Sequence, residues 1–356
     1  MKIYLAAIAT LLSCVAHGKV YYSEKVKTTD LGKTFNLNTH TVGQPCLQGD
    51  VQYHSNLSGS LNYFQRVDET LIRRRTFGEV HGGINLFIIA GSVSTSMTHR
   101  NATDSLSLTS QLHLKFDEGY STLEDRGLIN GINIGDCGHS FVYQVNYGRD
   151  LFVNTRLHFK TVEDYKRFVI KIKIRLLFFK KTITKVKEIE KYAESAVFSV
   201  DVNSNGPLPE KLQKQLNERP TYCRGSNISP CLETLHELVS YSFDNNGLVK
   251  DLASLEKVPR SFVVKGFQDS GHYGAQDWIM ANNQEADEAT WRKADSHYGQ
   301  AVRELERAKA FLTVATEGEL AQAQLRYDQA LIKLTDAQAL KSRCFEKPWL
   351  SECASL

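Results

Sequence analysis

No apolar run in this chain is long enough to cross a bilayer as a helix. The longest, Ile3 to Val15, falls short of the roughly 20 residues such a span needs. Charge of one sign is also lacking: 43 Lys and Arg stand against 40 Asp and Glu, a net +3, which gives no bulk attraction to nucleic acid. Catalytic signatures are missing too. The run His81-Gly82-Gly83 resembles an esterase oxyanion loop, but no G-x-S-x-G elbow accompanies it. No H-E-x-x-H, P-loop or dinucleotide fingerprint occurs. No C-x-x-C pair is found, and the histidines do not gather around the cysteines, so a metal centre is not indicated. The expectation is a protein without catalytic activity, cofactor or metal.

What the chain does have begins with a leader. Residues 1–18 carry a lysine, the apolar run, and then Ala16-His17-Gly18, with small residues at the two positions a signal peptidase reads. A removable secretion signal is the expectation. Leu12-Ser13-Cys14 also resembles a bacterial lipoprotein box, which would leave Cys14 acylated instead. Six further cysteines, Cys46, Cys137, Cys223, Cys231, Cys344 and Cys353, are an even number in a chain bound for an oxidising compartment. Six cysteines allow 15 pairings. Local pairing would join Cys223 to Cys231 and Cys344 to Cys353, leaving Cys46 with Cys137 as a long-range staple.

The longest alternation of the chain lies between Cys137 and Phe159. Phe141, Tyr143, Val145 and Tyr147 alternate with Val142, Gln144 and Asn146, and the period resumes after Gly148 with Leu151, Val153, Thr155 and Leu157. Period two over this length predicts one long strand, and the glycine inside it predicts a bend or a bulge. Two other segments are amphipathic at the same period. In Gly82 to Phe116, Ile84, Leu86 and Ile88 form one arm and Leu106, Leu108, Leu112 and Leu114 the other, which predicts a hairpin with arms long enough for a tilted membrane strand of about 9–11 residues. In Phe168 to Lys181, Ile170, Ile172, Ile174 and Leu176 face one way and Lys171, Lys173 and Arg175 the other, with Phe178, Phe179, Lys180 and Lys181 at the tip. Ahead of it, Thr161 and Asp164 form a helix-start signal. From Tyr165 to Lys191 there are ten Lys or Arg against two Glu, suited to anionic headgroups. Each segment also suits an ordinary sheet of a globular core, with lysines guarding an edge.

These residues resemble the membrane attack complex/perforin and cholesterol-dependent cytolysin (MACPF/CDC) superfamily. Its perforin branch carries aromatic-Gly-Thr/Ser-His-aromatic, six residues, then Gly-Gly, and Gly138, Phe141 and Gly148 stand in matching positions. Cys137, Ser140 and Arg149 depart from that pattern, whereas Tyr147-Gly148-Arg149 is similar to the cytolysin branch and to bacterial relatives. The resemblance implies soluble monomers that gather on a target membrane through lipid or receptor and oligomerise. The segments around 82–116 and 165–200 would then refold into hairpins of a shared β-barrel. Gly138 and Gly148 would mark the bend that opens. A non-lytic adhesin or binding protein of the same fold is the alternative.

The rest of the chain completes the fold expected. Lys19 to Gln65 reads as irregular β structure without a periodic helix. Ser195 to Val202 and Val258 to Phe267 read as strands, and Leu208 to Leu216 and the Leu232, Leu235, Leu238, Val239 series as helices. Beyond Gly274 the period turns helical, through Trp291, Tyr298, Val302, Leu305 and Phe311, with a break at Gly318 and a second series from Leu320 to Leu340. The expectation is an α+β protein: a bent, twisted antiparallel sheet flanked by helices over residues 19–274, then a C-terminal antiparallel helical hairpin over 275–356 with a disulfide-stapled tail.

Overall fold

The computed structural model describes residues 19–23, 25–65, 97–100, 102–172, 186–244, 247–277, 279 and 284–356. Its centre is an antiparallel run of four strands in sequence order: β4 (Leu47–Gln65), β5 (Ser107–Leu128), β6 (Ser140–His158) and β7 (Val197–Ser204). The alternation singled out in the sequence is β6. With a rise of about 3.3 Å per residue it is some 60 Å long, and a strand of that length accumulates too much twist to keep one set of neighbours. β5 stays alongside it, but the other partner changes. Ser140–Tyr147 pairs with β9 (Pro259–Gly266), and Leu151–His158 pairs with β7. β1 (Lys19–Tyr22) extends β9, β2 (Lys33–Asn36) and β3 (Thr41–Pro45) close the near end, and β8 (Tyr222–Arg224) edges β7.

Alternation sorts the side chains of the far half onto two faces. Leu108, Leu112, Leu114 and Phe116 of β5, Leu151, Val153 and Leu157 of β6 and Phe198 and Val200 of β7 share one core. Helices α1 (Val162–Lys171), α2 (Val186–Tyr192), α3 (Glu210–Glu218), α4 (Ser229–Phe243) and α5 (Leu248–Ala253) cover it. The near half has a second core around Phe35, Phe141, Val142, Val145, Phe262 and Phe267, into which Cys46 and Cys137 are built. All three disulfides are the sequentially local pairs plus the long-range one: Cys46–Cys137, Cys223–Cys231 and Cys344–Cys353.

Three expectations are corrected. Residues 47–65 are not irregular but one strand of 19 residues. It pairs only with β5 among the described residues and is exposed along most of its length, so neither face needed an apolar alternation to mark it. Leu108, Leu112 and Leu114 are not an arm of a hairpin with residues 84–88. They belong to the sheet interior, where β5 takes β4 as its partner, and half-buried Leu106 lies just ahead of it. Ile84, Leu86 and Ile88 lie outside the described residues. Finally, the alternation expected from Phe168 does not make a strand at Ile170 and Ile172. Thr161 caps α1 by accepting the Asp164 N–H at 3.1 Å, and Phe168 and Ile172, four residues apart, bury on its one apolar face. Ile170 and Lys171 point to solvent. The stretch Lys173, Ile174, Arg175, Leu176, Phe178, Phe179, Lys180 and Lys181 lies outside the described residues.

The C-terminal hairpin consists of α6 (Gln284–Thr313) and α7 (Glu317–Glu346), with α8 (Ser351–Ala354) tied back by Cys344–Cys353. The break falls at residues 314–316, and Gly318 lies inside the first turn of α7. Thr316 and Glu319 form a capping box there. The leucines Leu320, Leu325 and Leu331 are exposed; the seam is made of Ala323, Ala330, Ala337 and Cys344, seven residues apart. Small side chains at that spacing let the two helices approach closely.

Candidate functional site

The bend of the sheet is a built corner. Opposite Gly148 the register of β5 slips between Asp117 and Gly119, leaving Glu118 as the extra residue of a bulge, and β4 slips in turn between Ser55 and Ser58. Gly119 has φ +127°, a conformation only glycine adopts without strain. At Gly148 the reason is close approach: a Cβ would lie 2.7 Å from the Phe116 carbonyl oxygen. Gly138, expected at the bend, lies in the turn ahead of β6 with φ +73°.

Arg149 fills the corner and is fully buried. Its guanidinium lies 3.5 Å from Glu118 and donates to the Pro207 carbonyl at 3.3 Å and to the Glu256 carbonyl. Burial pushes the Glu118 carboxyl above its ordinary range even though Arg149 pulls it down. Asn205 ties the loop after β7 to the corner, donating to the Gly148 carbonyl at 3.1 Å and accepting the Asp150 N–H at 3.0 Å. Arg260 of β9 meets Asp117 at 2.5 Å. Tyr147 hydrogen-bonds the hydroxyls of Thr28 (2.5 Å) and Ser121 (3.2 Å), while Phe141 packs against Phe267. The motif read in the sequence therefore divides: Phe141 and Tyr147 hold the near core, and Gly148 and Arg149 make the corner. Glu118, Asn205 and Arg260 were missed because they join it from distant parts of the chain with no local signal; the Glu118-Gly119 pair inside a strand was the one available clue.

The second feature is the far end of the sheet. β4 ends where Gln65 pairs with Ser110, β5 starts with Ser107 opposite His158, and His158 in turn faces Val197 at the start of β7. Both long connections, residues 66–106 and 159–196, therefore leave from the same end. Behind the apolar face lies a polar one that is also buried. Gln111 donates to Asn154 at 2.9 Å, Asn154 to Asp201 at 3.2 Å, and Arg156 pairs with Asp201 at 3.2 Å. His113 meets Asp150 at 2.8 Å. His158 is held well below its usual range by burial, then by Arg156 and Arg307. Among the described residues no group of three or more His, Cys, Asp or Glu could hold a metal ion, and no described helix is long and apolar enough to cross a membrane.

No family model and no curated protein matches this sequence. Solved structures do. Stonustoxin aligns with 95% of this chain and 46% of its own at 11% identity and a TM-score of 0.37. A non-hemolytic pneumolysin from Streptococcus pneumoniae aligns with 61% of this chain and 41% of its own at 9% identity and a TM-score of 0.28. Astrotactin-2, a perforin-like vertebrate membrane protein, aligns with 92% and 88% at 9% identity and a TM-score of 0.25. The chain spans less than half the length of the first two. Astrotactin-2 is thus described as perforin-like, and a further aligned structure, from Bacteroides thetaiotaomicron at 9% identity and a TM-score of 0.23, carries a MAC/Perforin domain.

Proposed function

We propose that this chain is a secreted pore-forming protein whose two long connections refold on a target membrane into hairpins of a β-barrel shared among several copies. One observation carries the reading: both connections leave the same end of a four-stranded antiparallel sheet that is apolar on one face and polar on the other. Each connection has about 40 residues, so each could extend its flanking strands by arms of about 20, well beyond the 9–11 a tilted membrane strand needs. The two-faced sheet already has the split a barrel wall requires, lipid on one side and water on the other. A lone sheet cannot span lipid with its edges open, which demands closure through further copies. β4, unpaired on its outer side among the described residues, offers the edge. The three disulfides suit an oxidising compartment. The cations Lys171, Lys173, Arg175, Lys180 and Lys181, with Phe178 and Phe179, supply the membrane contact in this reading.

Carrying the alternation of β6 straight on would put Lys171 on the face of Leu157. The refolded arm therefore needs one bulge between them to turn Ile170 and Ile172 to the lipid. Ile170 is the residue on which to test this, because it is 76% exposed in the described structure. Ile170→Lys is expected to shift stability by no more than about 0.5 kcal/mol, as surface substitutions do. At the bilayer midplane a lysine opposes insertion by about 2–4 kcal/mol. Dye release from liposomes should fall at least tenfold while thermal unfolding is unmoved. Full release by Ile170→Lys would show that this stripe does not face lipid, and membrane binding without release by the unsubstituted protein would favour a non-lytic adhesin.

A further inference from the structure

The helical hairpin is joined to the sheet differently from the other helices. Among the described residues, neither of the two large cores contains a residue of α6 or α7. Apart from Trp291 toward its start, the apolar residues α6 buries are small: Ala294, Ala301, Val302 and Ala310. What it grips is the polar root of the first connection. The His99 ring is fully buried, 3.1 Å from Asp295, which also takes Lys341 of α7 at 2.7 Å. Gly299 makes room for that ring, since a Cβ there would lie 2.3 Å from His99 Nδ1. One turn on, Arg303 donates to the His99 carbonyl at 3.4 Å, Arg100 pairs with Glu306 at 3.2 Å and Asp104 with Arg307 at 2.5 Å.

The same hairpin holds the root of the second connection. Lys160, two residues past β6, meets Glu319 at 3.6 Å, and Arg224 of β8 bridges Glu319 and the Val314 carbonyl at the hairpin tip. Between tip and sheet lies a cavity of about 260 Å³, floored by Leu106, Phe159, Phe311 and Ala323. The pairs at the tip, Lys160–Glu319 and Arg224–Glu319, are exposed and contribute little each, so the buried His99–Asp295–Lys341 cluster is the main polar hold, and among the described residues neither large core contains a residue of the hairpin.

We propose that α6 and α7 form a releasable strap that pins the roots of both connections, and that its detachment sets the rate at which they leave the sheet. The proposal rests on the pore-forming reading for the use made of the release, but the attachment itself can be measured without a membrane. Arg100→Glu replaces attraction by repulsion at the strap; Glu306→Arg does the same and also meets Arg156 of β6, 4.0 Å from Glu306, so the double exchange restores the Arg100 pair alone, with the signs exchanged. Gly299→Ala should act like the single changes: alanine is the better helix former, yet here it collides with the seated histidine. Hydrogen exchange of residues 97–104 in solution should quicken about tenfold in each single variant and return toward the original rate in the double exchange. Exchange of residues 141–147 of β6, away from the Arg156 contact, should stay unchanged in all, which shows that the sheet remains folded. Dye release should quicken in the same singles and slow again in the double variant. Unchanged exchange at 97–104 in the singles, or no recovery in the double, would overturn the attachment. Raised exchange with unchanged release would overturn the strap as the rate-setting element. Absence of release from the unsubstituted protein, with the exchange pattern as expected, would overturn the pore-forming reading and leave the attachment standing.

Discussion

Arg149→Met is expected to lower the free energy of unfolding by about 3–5 kcal/mol, the usual penalty for removing one partner of a buried ion pair. The guanidinium is fully buried, and its loss leaves the Glu118 carboxylate without its counter-ion and the Pro207 and Glu256 carbonyls without their donor. Methionine keeps the volume of the stem, so the deficit reports the charge. The deficit should also depend on pH in a fixed direction. Burial already holds the folded Glu118 carboxyl above its ordinary range, and without Arg149 it rises further. A raised carboxyl adds stability in its protonated form and loses it as pH rises through the folded pKa, so the variant should recover toward the parent as pH falls. Adding Glu118→Gln should recover part of the loss at neutral pH. Urea unfolding measures both effects; a deficit below about 1 kcal/mol would mean that Glu118 and the two carbonyls find other partners.

The position of Arg149 shows what the sequence could and could not tell. Gly148 interrupting a long alternation was a legible sign of a bend, because only a close approach or a bulge excuses a glycine there. Arg149 beside it looked like a departure from a family pattern, and its role became clear only when Glu118, Pro207 and Glu256 were found around it. β6, β7, β9, α4 and the C-terminal hairpin each set apolar side chains on one face, and their periods were readable for that reason. β4 buries almost nothing, so its polar residues carried no period and it was read as irregular. That error also misassigned the partner of β5. The hairpin seam was hidden differently: its repeat lies in alanines and one cysteine, while attention falls on leucines that prove exposed. The segment at Ile170 and Ile172 fits two periods at once. The helix holds it through Phe168 and Ile172.

Removing the Cys46–Cys137 bridge should lower stability by about 4.5 kcal/mol in the chain-entropy picture, against about 2.5 for either of the other two. The difference follows from the length of chain closed: a separation of 91 residues against 8 and 9. The long bridge also ties the start of β4 to the turn before β6, so its loss frees the near core around Phe141 and Phe262. Paired Cys→Ala variants compared by denaturant unfolding give the ranking. If either short-range pair proved to matter more than Cys46–Cys137, strain or residual structure in the unfolded chain would outweigh loop closure.

The most direct test of pore formation is dye release from neutral and anionic liposomes by the purified protein, with the same samples imaged by negative-stain microscopy. Release accompanied by rings, strongest where the lipid is anionic, is the predicted result, since the segment from Tyr165 to Lys191 carries ten Lys or Arg against two Glu. Dense binding to intact liposomes, without rings or release, would contradict it.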